Sequence, residues 1–202
     1  MGQGDDPPRA GQLTVITGPM FAGKTSALLR NITREKRRRR KVLAVTHRLD
    51  DRFGVGLIAS HDRLSVDAVA LGGAEELREH FFAASARPDV VALDEAQFFG
   101  PGLSPVVAEI LRAGTDVDVA GLCQDHGGHP FEPVATLMTQ AEDVIKLVAT
   151  CAICGAAAAY QQLIDDRPAP SGPLVGGAEL YEPRCRAHFP GCTSRPARSA
   201  PH

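Results

Sequence analysis

The residues that point most directly to chemistry are the eight from Gly18 to Thr25, which read Gly-Pro-Met-Phe-Ala-Gly-Lys-Thr. They match G-x-x-x-x-G-K-[ST], a pattern that binds nucleotide phosphates where it joins a strand to a helix. The apolar segment from Leu13 to Thr17 precedes it, and a helical pattern of apolar residues at three- and four-residue spacing follows it. We expect loop N–H groups to face phosphate oxygens, Lys24 to reach the β and γ phosphates, and Thr25 to ligate Mg²⁺. The residues predicted to bind the nucleotide here are Gly18, Pro19, Met20, Phe21, Ala22, Gly23, Lys24 and Thr25.

Two acidic residues follow a second apolar segment. Val90 to Leu93 is apolar throughout, and Asp94 and Glu95 come directly after it. A phosphate loop needs a second acidic group to hold magnesium, so we expect Asp94 to lie at the end of a strand beside the loop. Glu95 is the candidate general base. It would activate water in an ATPase, or accept the proton of a substrate hydroxyl in a kinase.

Four potential metal ligands lie in the last quarter of the chain. Cys151 and Cys154 form one pair, Cys185 and His188 form a second pair with the same spacing, and a loop of 30 residues separates the two pairs. Three thiolates and one imidazole complete a tetrahedral shell with no open position, which indicates a structural zinc ion rather than a catalytic one. Cys192 could replace His188 as the fourth ligand, although the spacing of the second pair favours His188.

Two further segments carry weaker signals. In the run Asp-Asp-Arg-Phe from position 50 to 53, Arg52 could contact a triphosphate or form a surface ion pair. The segment from Gly176 to Tyr181 places paired glycines just before the second ligand pair. A loop of this kind, anchored by zinc, could cover a small ligand and bind it through main-chain groups.

Short apolar segments alternate with helical patterns along the chain, which predicts an α/β fold with a mainly parallel sheet covered on both faces. The predicted strands are Leu13–Thr17, Lys41–Thr46, Ser65–Ala70, Asp89–Leu93, Val117–Gly121 and Val144–Ala149. The first predicted helix starts near Thr25, and the second spans Ala74 to Ala86. The third begins at Pro105, with Ser104 as its cap and Gly114 as its stop.

Composition limits the classes of partner. The chain has 202 residues, of which 44% are hydrophobic, enough for one core and a small additional module. A net charge of −2 gives no global reason to expect nucleic acid or an anionic membrane as partner. Apolar runs are shorter than the ~20 residues of a membrane span, and the N-terminal residues lack the apolar segment of a secretory signal. We therefore expect a cytoplasmic enzyme.

A basic run from Arg34 to Lys41 could suggest a nucleic-acid patch. It falls in the last turns of the first predicted helix, where cations complement the helix dipole and stay solvated. We favour this second interpretation.

Taken together, these motifs resemble those of the thymidine kinase family typified by bacterial and vertebrate cytosolic enzymes. The resemblance covers roughly Gly11 to Phe189 and rests on the loop at 18–25, the segments at 50–53 and 94–99, His129-Pro130-Phe131, both ligand pairs, and Val175-Gly176-Gly177 with Tyr181. It implies a RecA-like P-loop core with a small C-terminal zinc-binding lasso domain. The expected division is a disordered tail at 1–10, the ATP-binding kinase core at 11–150, the lasso domain covering the substrate at 151–189, and a second disordered tail at 190–202.

The resemblance further implies ATP-dependent phosphorylation of the 5′-hydroxyl of thymidine or deoxyuridine, for pyrimidine salvage in DNA synthesis. In the family the residue matching Glu95 is the general base, and Arg52 and Gln97 join Asp94 on the nucleotide side. The residues assigned to the nucleoside side are Met20, Phe98, Phe131, Gln161, Val175, Gly176, Gly177 and Tyr181. A homotetramer that binds a small-molecule nucleoside is the expected assembly.

The chain also departs from the family pattern. Where the family commonly reads Gly-Leu-Asp-x-Asp-Phe, Cys123 replaces the first acid and His126 replaces the aromatic residue. Gln161 stands where many members place a threonine near the thymine methyl group. These positions bear on base preference rather than on phosphoryl transfer.

Two alternatives to a thymidine kinase stay open at this point. One is a P-loop ATPase or switch that reads a macromolecule through its zinc module, and the other is a catalytically weakened paralogue kept for regulation or assembly.

Overall fold

The computed structural model describes residues 9–50, 56–60, 64–164 and 180–190. Their strands are β1 Leu13–Thr17, β2 Val42–His47, β3 Leu57–Ala59, β4 Ser65–Asp67, β5 Val69–Leu71, β6 Val90–Leu93, β7 Asp116–Gly121, β8 Asp143–Lys146, β9 Ala149–Thr150, β10 Ala157–Ala158, β11 Tyr160–Leu163 and β12 Tyr181–Arg184. Their α-helices are α1 Lys24–Arg37, α2 Ala74–Ala83, α3 Leu103–Arg112 and α4 Val134–Gln140, and Ala96–Phe99 forms one turn of 3₁₀ helix.

A six-stranded sheet with the order β5-β2-β6-β7-β1-β8 forms the centre of the fold. Every pair of neighbours in it is parallel, which confirms the predicted α/β class. β1 and β6 are the two neighbours of β7. Because parallel strands end at the same edge of a sheet, the segments that follow Thr17 and Leu93 emerge on the same side.

The two faces of the sheet bury separate apolar layers. In β1 the side chain of Val15 enters one layer and that of Ile16 the other, and in β6 Leu93 and Ala92 divide in the same way. This division follows from the alternation of side chains along a strand. α2, α3 and α4 contribute to the first layer, while α1 and the β3–β4 hairpin contribute to the second.

α1 follows the pattern that the sequence predicts. It begins after Gly23, whose φ of +84° is in the left-handed region that favours glycine. Leu28, Leu29 and Ile32 are buried and form its apolar face, which packs on the sheet. Its last turn is basic, as expected from the helix dipole.

Part of the basic run is structural rather than merely solvated. The carboxylate of Glu35 is buried and accepts hydrogen bonds from Arg34, Arg38 and Arg40 at 3.1, 3.1 and 3.0 Å. Arg40 also donates to Asp116 at 2.6 Å. Burial opposes the charge on Glu35, but the hydrogen bonds from Arg40 and Arg34 hold the pKa of Glu35 below its usual value. This ion network ties the end of α1 to the start of β7.

Two predicted strands are each divided in the structure. Residues 65–70 contribute to β4, which pairs antiparallel with β3 outside the main sheet, and to β5, which pairs parallel with β2. Residues 144–149 lie mainly in β8, but β9 leaves the sheet and pairs with β10. In both cases the chain changes its partner strand after about three residues. An apolar run this short does not indicate which strand it will pair with.

The start of the third predicted helix is wrong by two residues. α3 begins at Leu103, so Ser104 lies inside it and makes no cap hydrogen bond. Its hydroxyl instead donates to Gln140 Oε1 at 3.0 Å, which links α3 to α4. Pro105 falls in the first turn, where its missing N–H costs nothing. Gly114, with φ of +86°, follows the end of the helix as predicted.

The C-terminal part consists of short antiparallel pairs. β9 pairs with β10, and β11 pairs with β12 so that Leu163 lies opposite Tyr181. None of the helices in the described part of the chain combines the length and apolar character needed to cross a bilayer.

Asp118 provides a test of the packing beneath α1. It lies in β7, is 8% exposed, and accepts a 3.4 Å hydrogen bond from Asn31. Burial raises its pKa above the ordinary value, so the folded state favours the protonated form. Asp118 therefore weakens folding above the ordinary pKa of about 4. We expect Asp118→Asn to raise Tm at pH 7 and to lose this advantage as the pH falls toward 4.

The control for this measurement is Asp143→Asn, which changes an exposed aspartate in β8. Thermal unfolding followed by circular dichroism at pH 7 and pH 4.5 gives the comparison. A lower Tm for Asp118→Asn than for the unmodified protein at pH 7 would contradict the prediction.

Candidate active site

The loop from Gly18 to Gly23 has a conformation that depends on its glycines. At Gly18, with φ of +149°, a Cβ atom would lie 2.5 Å from the carbonyl oxygen of Leu147. At Gly23 the left-handed conformation, rather than close contact, requires glycine, because a Cβ atom there would have no atom of the described residues within 4 Å. Phe21 adopts φ of +63°, which is unusual for a residue with a side chain. The chain therefore turns sharply between β1 and α1.

Hydrogen bonds hold the loop in this shape. The Ala22 N–H donates to the Pro19 carbonyl at 3.3 Å, and Lys24 Nζ donates to the same carbonyl at 2.9 Å. The Met20 N–H donates to Oε1 of Gln161 at 3.0 Å. The Lys24 ammonium thus lies over the loop, where a phosphate bound by the loop's N–H groups would meet a positive charge.

Thr25 and Asp94 bring the two predicted phosphate-site segments into direct contact. Thr25 Oγ1 donates to Asp94 Oδ2 at 3.0 Å, and Asp94 is 4% exposed. Burial, together with the negative charge of Glu95, raises the pKa of Asp94 to about 7. A cation beside this carboxylate would stabilise its charged form. A hydroxyl and a carboxylate oxygen at this spacing fit Mg²⁺, which prefers oxygen ligands.

Glu95 has an unusual backbone conformation and a defined side-chain partner. Its φ and ψ of 51° and 41° are left-handed, and it starts the 3₁₀ turn. Gln97 Nε2 donates to Glu95 Oε2, and Gln97 Oε1 accepts the N–H of Leu122 at 3.0 Å. Gln97 therefore joins Glu95 to the end of β7. Strained residues held in this way occur often at functional sites.

Gly121 has no side chain, and the Gln97 side chain occupies the space beside it. A Cβ atom at position 121 would lie 2.9 Å from Gln97 Oε1 and 2.8 Å from Cγ2 of Val134. The glycine at the end of β7 is therefore part of the support for Glu95, a role that no pattern in the sequence indicates.

The residues predicted for the nucleoside side have varied surroundings. Tyr181 is 6% exposed and lies in β12. Phe98 is half-buried, with its ring centroid 5.8 Å from that of His47. Phe131 is half-buried, and its N–H donates to the Cys123 carbonyl at 2.9 Å. Four predicted site residues lie outside the described part of the chain, namely Arg52, Val175, Gly176 and Gly177.

The four predicted metal ligands form one cluster. All ligand atoms of Cys151, Cys154, Cys185 and His188 lie within 4.8 Å of one another. The Cys154 and Cys185 sulfurs are 3.7 Å apart, and His188 Nδ1 lies 3.3 Å from Cys185 Sγ and 3.8 Å from Cys151 Sγ. Ligands at zinc distances of about 2.3 Å for sulfur and 2.0 Å for nitrogen, arranged tetrahedrally, are roughly 3.5–3.8 Å apart. The cluster therefore has the dimensions that zinc requires.

The surroundings of the cluster favour the thiolate of Cys151 in particular. At Cys154 the Ala156 N–H favours the thiolate, but burial and the neighbouring Cys185 and Cys151 thiols raise the pKa. Burial opposes ionisation of Cys151, but backbone N–H groups of Cys185, Ile153 and Cys154 lower the pKa of its thiol to about 6. A thiol must lose its proton to bind zinc. Cys151 is thus prepared for metal binding by the backbone around it.

The cluster of four candidate metal ligands packs directly against the phosphate loop. Ala22 contacts the small apolar cluster made by Ala149, Cys151, Ala158 and Cys185. This contact and the hydrogen bond from Met20 to Gln161 were not predicted from the sequence. No spacing pattern signals either one, because each joins segments more than 120 residues apart.

Comparison with known proteins gives a consistent result. The family model described as thymidine kinase matches residues 11–189. A protein named thymidine kinase from Deinococcus deserti is 41% identical over 193 residues, which cover 90% of this chain and 96% of the relative.

Gln97 provides a test of how Glu95 is held. Gln97→Ala removes both side-chain hydrogen bonds and leaves the Leu122 N–H without its acceptor. We expect the free energy of unfolding to fall by about 1–3 kcal/mol, the cost of an unpaired buried donor. Urea denaturation at pH 7 measures this loss. A change below about 0.5 kcal/mol in Gln97→Ala, the range of ordinary surface substitutions, would show that the bridge is not important.

Proposed function

The chain belongs to the thymidine kinase family and is a kinase, and from this premise we propose that it transfers the γ-phosphoryl group of ATP to the 5′-hydroxyl of thymidine and of deoxyuridine. The observation that carries the transfer chemistry is the 3.0 Å contact between Thr25 and Asp94. It places the start of the phosphate loop's helix beside the pair Asp94 and Glu95. Phosphoryl transfer needs this combination of phosphate cradle, metal ligand and base.

The residues at 18–25 hold the triphosphate in this proposal. N–H groups at the start of α1 point toward the phosphates, and the helix dipole favours their negative charge. Lys24, which lies over the loop beside the Pro19 carbonyl, turns to the β and γ phosphates. Arg52 adds positive charge at the triphosphate, as the family resemblance suggests.

Thr25 and Asp94 hold the magnesium ion. Their oxygen atoms fit its ligand preference, and the raised pKa of Asp94 indicates a carboxylate that benefits from a nearby cation. Held by these two residues, Mg²⁺ would supply positive charge to balance that of the phosphates. The remaining chemistry falls to the protein's own side chains.

Glu95 is the general base. It accepts the proton of the 5′-hydroxyl as that oxygen attacks the γ phosphorus and ADP departs. The hydrogen bond from Gln97 fixes the direction of the carboxylate. Holding a base in place in this way reduces the entropy lost on reaching the transition state.

The nucleoside side is built from residues on both parts of the chain. We assign Met20, Phe98, Phe131, Gln161 and Tyr181 to it, with Val175, Gly176 and Gly177 supplying main-chain contacts. The core at 11–150 thus binds ATP and the segment at 151–189 covers the acceptor. Cytoplasmic location, a homotetramer and a role in pyrimidine salvage complete the proposal, on the basis of the family.

The four-ligand cluster binds a structural zinc ion. Its three sulfurs and one nitrogen leave no position for a substrate, so zinc stabilises the segment without taking part in transfer. Because Ala22 packs on the cluster, zinc also supports the phosphate loop from outside.

A P-loop ATPase and a catalytically weakened paralogue remain the alternatives, and family membership favours neither. They differ from the kinase in a measurable way. An ATPase hydrolyses ATP without a nucleoside, and a weakened paralogue forms no monophosphate.

Glu95→Gln tests the base. The change keeps the size of the side chain but removes its ability to take a proton, so we expect turnover to fall roughly 100-fold or more. ATP affinity should stay near that of the unmodified protein. Glu79→Gln, an exposed change in α2, is the matched control.

The assay is monophosphate formation with Mg-ATP and a panel of nucleosides. Phosphorylation of no pyrimidine deoxynucleoside by the unmodified protein would refute the proposed function. A Glu95→Gln variant that keeps most of the rate would remove Glu95 from the base role alone.

Metal analysis tests the zinc site. We expect one zinc ion per chain in the purified protein and its loss in Cys154→Ser, together with a lower Tm. Cys123→Ala is the control, because Cys123 is a buried cysteine that packs in the main core and not in the cluster. Equal zinc contents in the two variants would show that the cluster does not bind the metal.

A further inference from the structure

Gln161 connects three segments that are distant in sequence. It lies in β11 and is only 3% exposed. Its Oε1 atom accepts the Met20 N–H at 3.0 Å, and its Nε2 atom donates to the Gln124 carbonyl at 3.2 Å. One amide group thus joins the phosphate loop, the segment after β7, and β11.

Gln124 completes the connection from the other side. Its Nε2 atom donates to the carbonyl of Ala159, the residue before β11. The two glutamines therefore exchange side-chain to main-chain hydrogen bonds between the core and the C-terminal segment. We call this pair, Gln124 and Gln161, the amide clasp.

The chemistry of the clasp requires an amide at position 161. Met20 offers a donor and Gln124 offers an acceptor, so the side chain between them must accept at one atom and donate at another. A carboxylate could accept from Met20 but could not donate to a carbonyl. A smaller residue could not reach both groups.

The hydrogen bond to Gln161 fixes the orientation of the Met20 peptide. The Met20 N–H is committed to this bond, so phosphate binding falls to the N–H groups further along the loop. Ala22, two residues on, packs against the metal cluster. The C-terminal segment thus contacts the loop at two alternate residues, once by a hydrogen bond and once by apolar packing.

β11 in turn is tied to the strand that carries Tyr181. Gln161 lies opposite Pro183, and Leu163 lies opposite Tyr181, in the antiparallel pair of β11 with β12. β12 is hydrogen-bonded to β11, and Gln161 of β11 is hydrogen-bonded to the Met20 peptide, so the strand that carries Tyr181 is linked to the phosphate loop.

We propose that Gln161 is a positioning residue through which nucleoside binding and ATP binding strengthen each other. The proposal rests on the proposed function for the identity of its two ligands. Its physical basis is the conformational entropy that is lost when the amide clasp is fixed. The ligand that binds first meets this entropy cost, so the second ligand binds with a smaller loss. Such coupling is reciprocal, with a factor that is typically about 5 to 150. Positioning is a role in addition to the place of Gln161 on the nucleoside side, and it rests on the hydrogen bonds that both heteroatoms of its amide make to main-chain groups.

Calorimetry on the full chain tests the proposal. The dissociation constant of the Mg²⁺ complex of a non-hydrolysable ATP analogue is measured with and without saturating thymidine, and their ratio is the coupling factor. The reverse ratio, for thymidine with and without the analogue, must agree with it. We expect a factor of about five or more for the unmodified protein and a value near one for Gln161→Ala.

Two further variants separate positioning from other effects. Gln162→Ala is the matched control, because the Gln162 side chain donates only to the carbonyl of its neighbour Leu163, and the coupling factor should be unchanged. Gln161→Glu keeps the acceptor for Met20 and loses the donor to Gln124. We expect it to show little coupling, and to bind the ATP analogue alone more weakly because its carboxylate lies beside the phosphate loop.

The outcomes that overturn the proposal are distinct from failure of the proposed function. If the unmodified protein binds both ligands and Gln161→Ala keeps the full coupling factor, the inference is wrong. It is also wrong if thymidine alone binds more weakly to that variant while the coupling factor stays unchanged, which is the result of a direct contact. If Gln161→Ala does not fold, Gln161→Met, which keeps most of the side-chain volume and removes both hydrogen bonds of the amide, takes its place, and unchanged coupling there refutes the proposal. A protein that binds the ATP analogue but no pyrimidine nucleoside refutes the proposed function itself.

Discussion

The hydrogen bond between the Thr25 hydroxyl and the Asp94 carboxylate is the contact on which the rest of the site depends. β1 and β6 are not neighbours, because β7 lies between them, so their ends are about 10 Å apart. The phosphate loop and the first turn of α1 span this gap and bring Thr25 to Asp94. A different strand order would leave the same motifs in the sequence without joining them. Sheet topology, more than either motif, therefore creates the proposed magnesium site.

Support for Glu95, the proposed base, comes from the end of β7, a strand to which we assign no catalytic residue. Glu95 is held by Gln97, Gln97 is held by the Leu122 N–H, and Gly121 leaves space for the Gln97 side chain. These contacts join the end of β6 to the end of β7. The proposed base, Glu95, is therefore attached to the same edge of the sheet as Asp94, the proposed magnesium ligand, which keeps the two groups in register with each other.

The sequence predicts the parts of this protein that depend on local pattern. β1, α1, β6 and the four metal ligands follow from apolar spacing, glycine positions and ligand spacing, and the structure brings them together. The structural role of the basic run from Arg34 to Lys41 has no local signal, because only the tertiary contacts bury Glu35 among its arginines. Ser104 has the right residue type for a cap, but its hydroxyl bonds to α4 instead. Contacts such as Met20 with Gln161 follow from the three-dimensional arrangement alone.

α1 is fixed at both of its ends. Its first turn is bound to Asp94, and its last turn is held by the ion network of Glu35 and Arg40 that reaches Asp116 in β7. A helix held at both ends can neither slide nor rotate without breaking hydrogen bonds or ion pairs at one of them. Thr25, in the first turn, is therefore kept beside Asp94 by contacts that lie at the opposite end of the helix as well as at its own end.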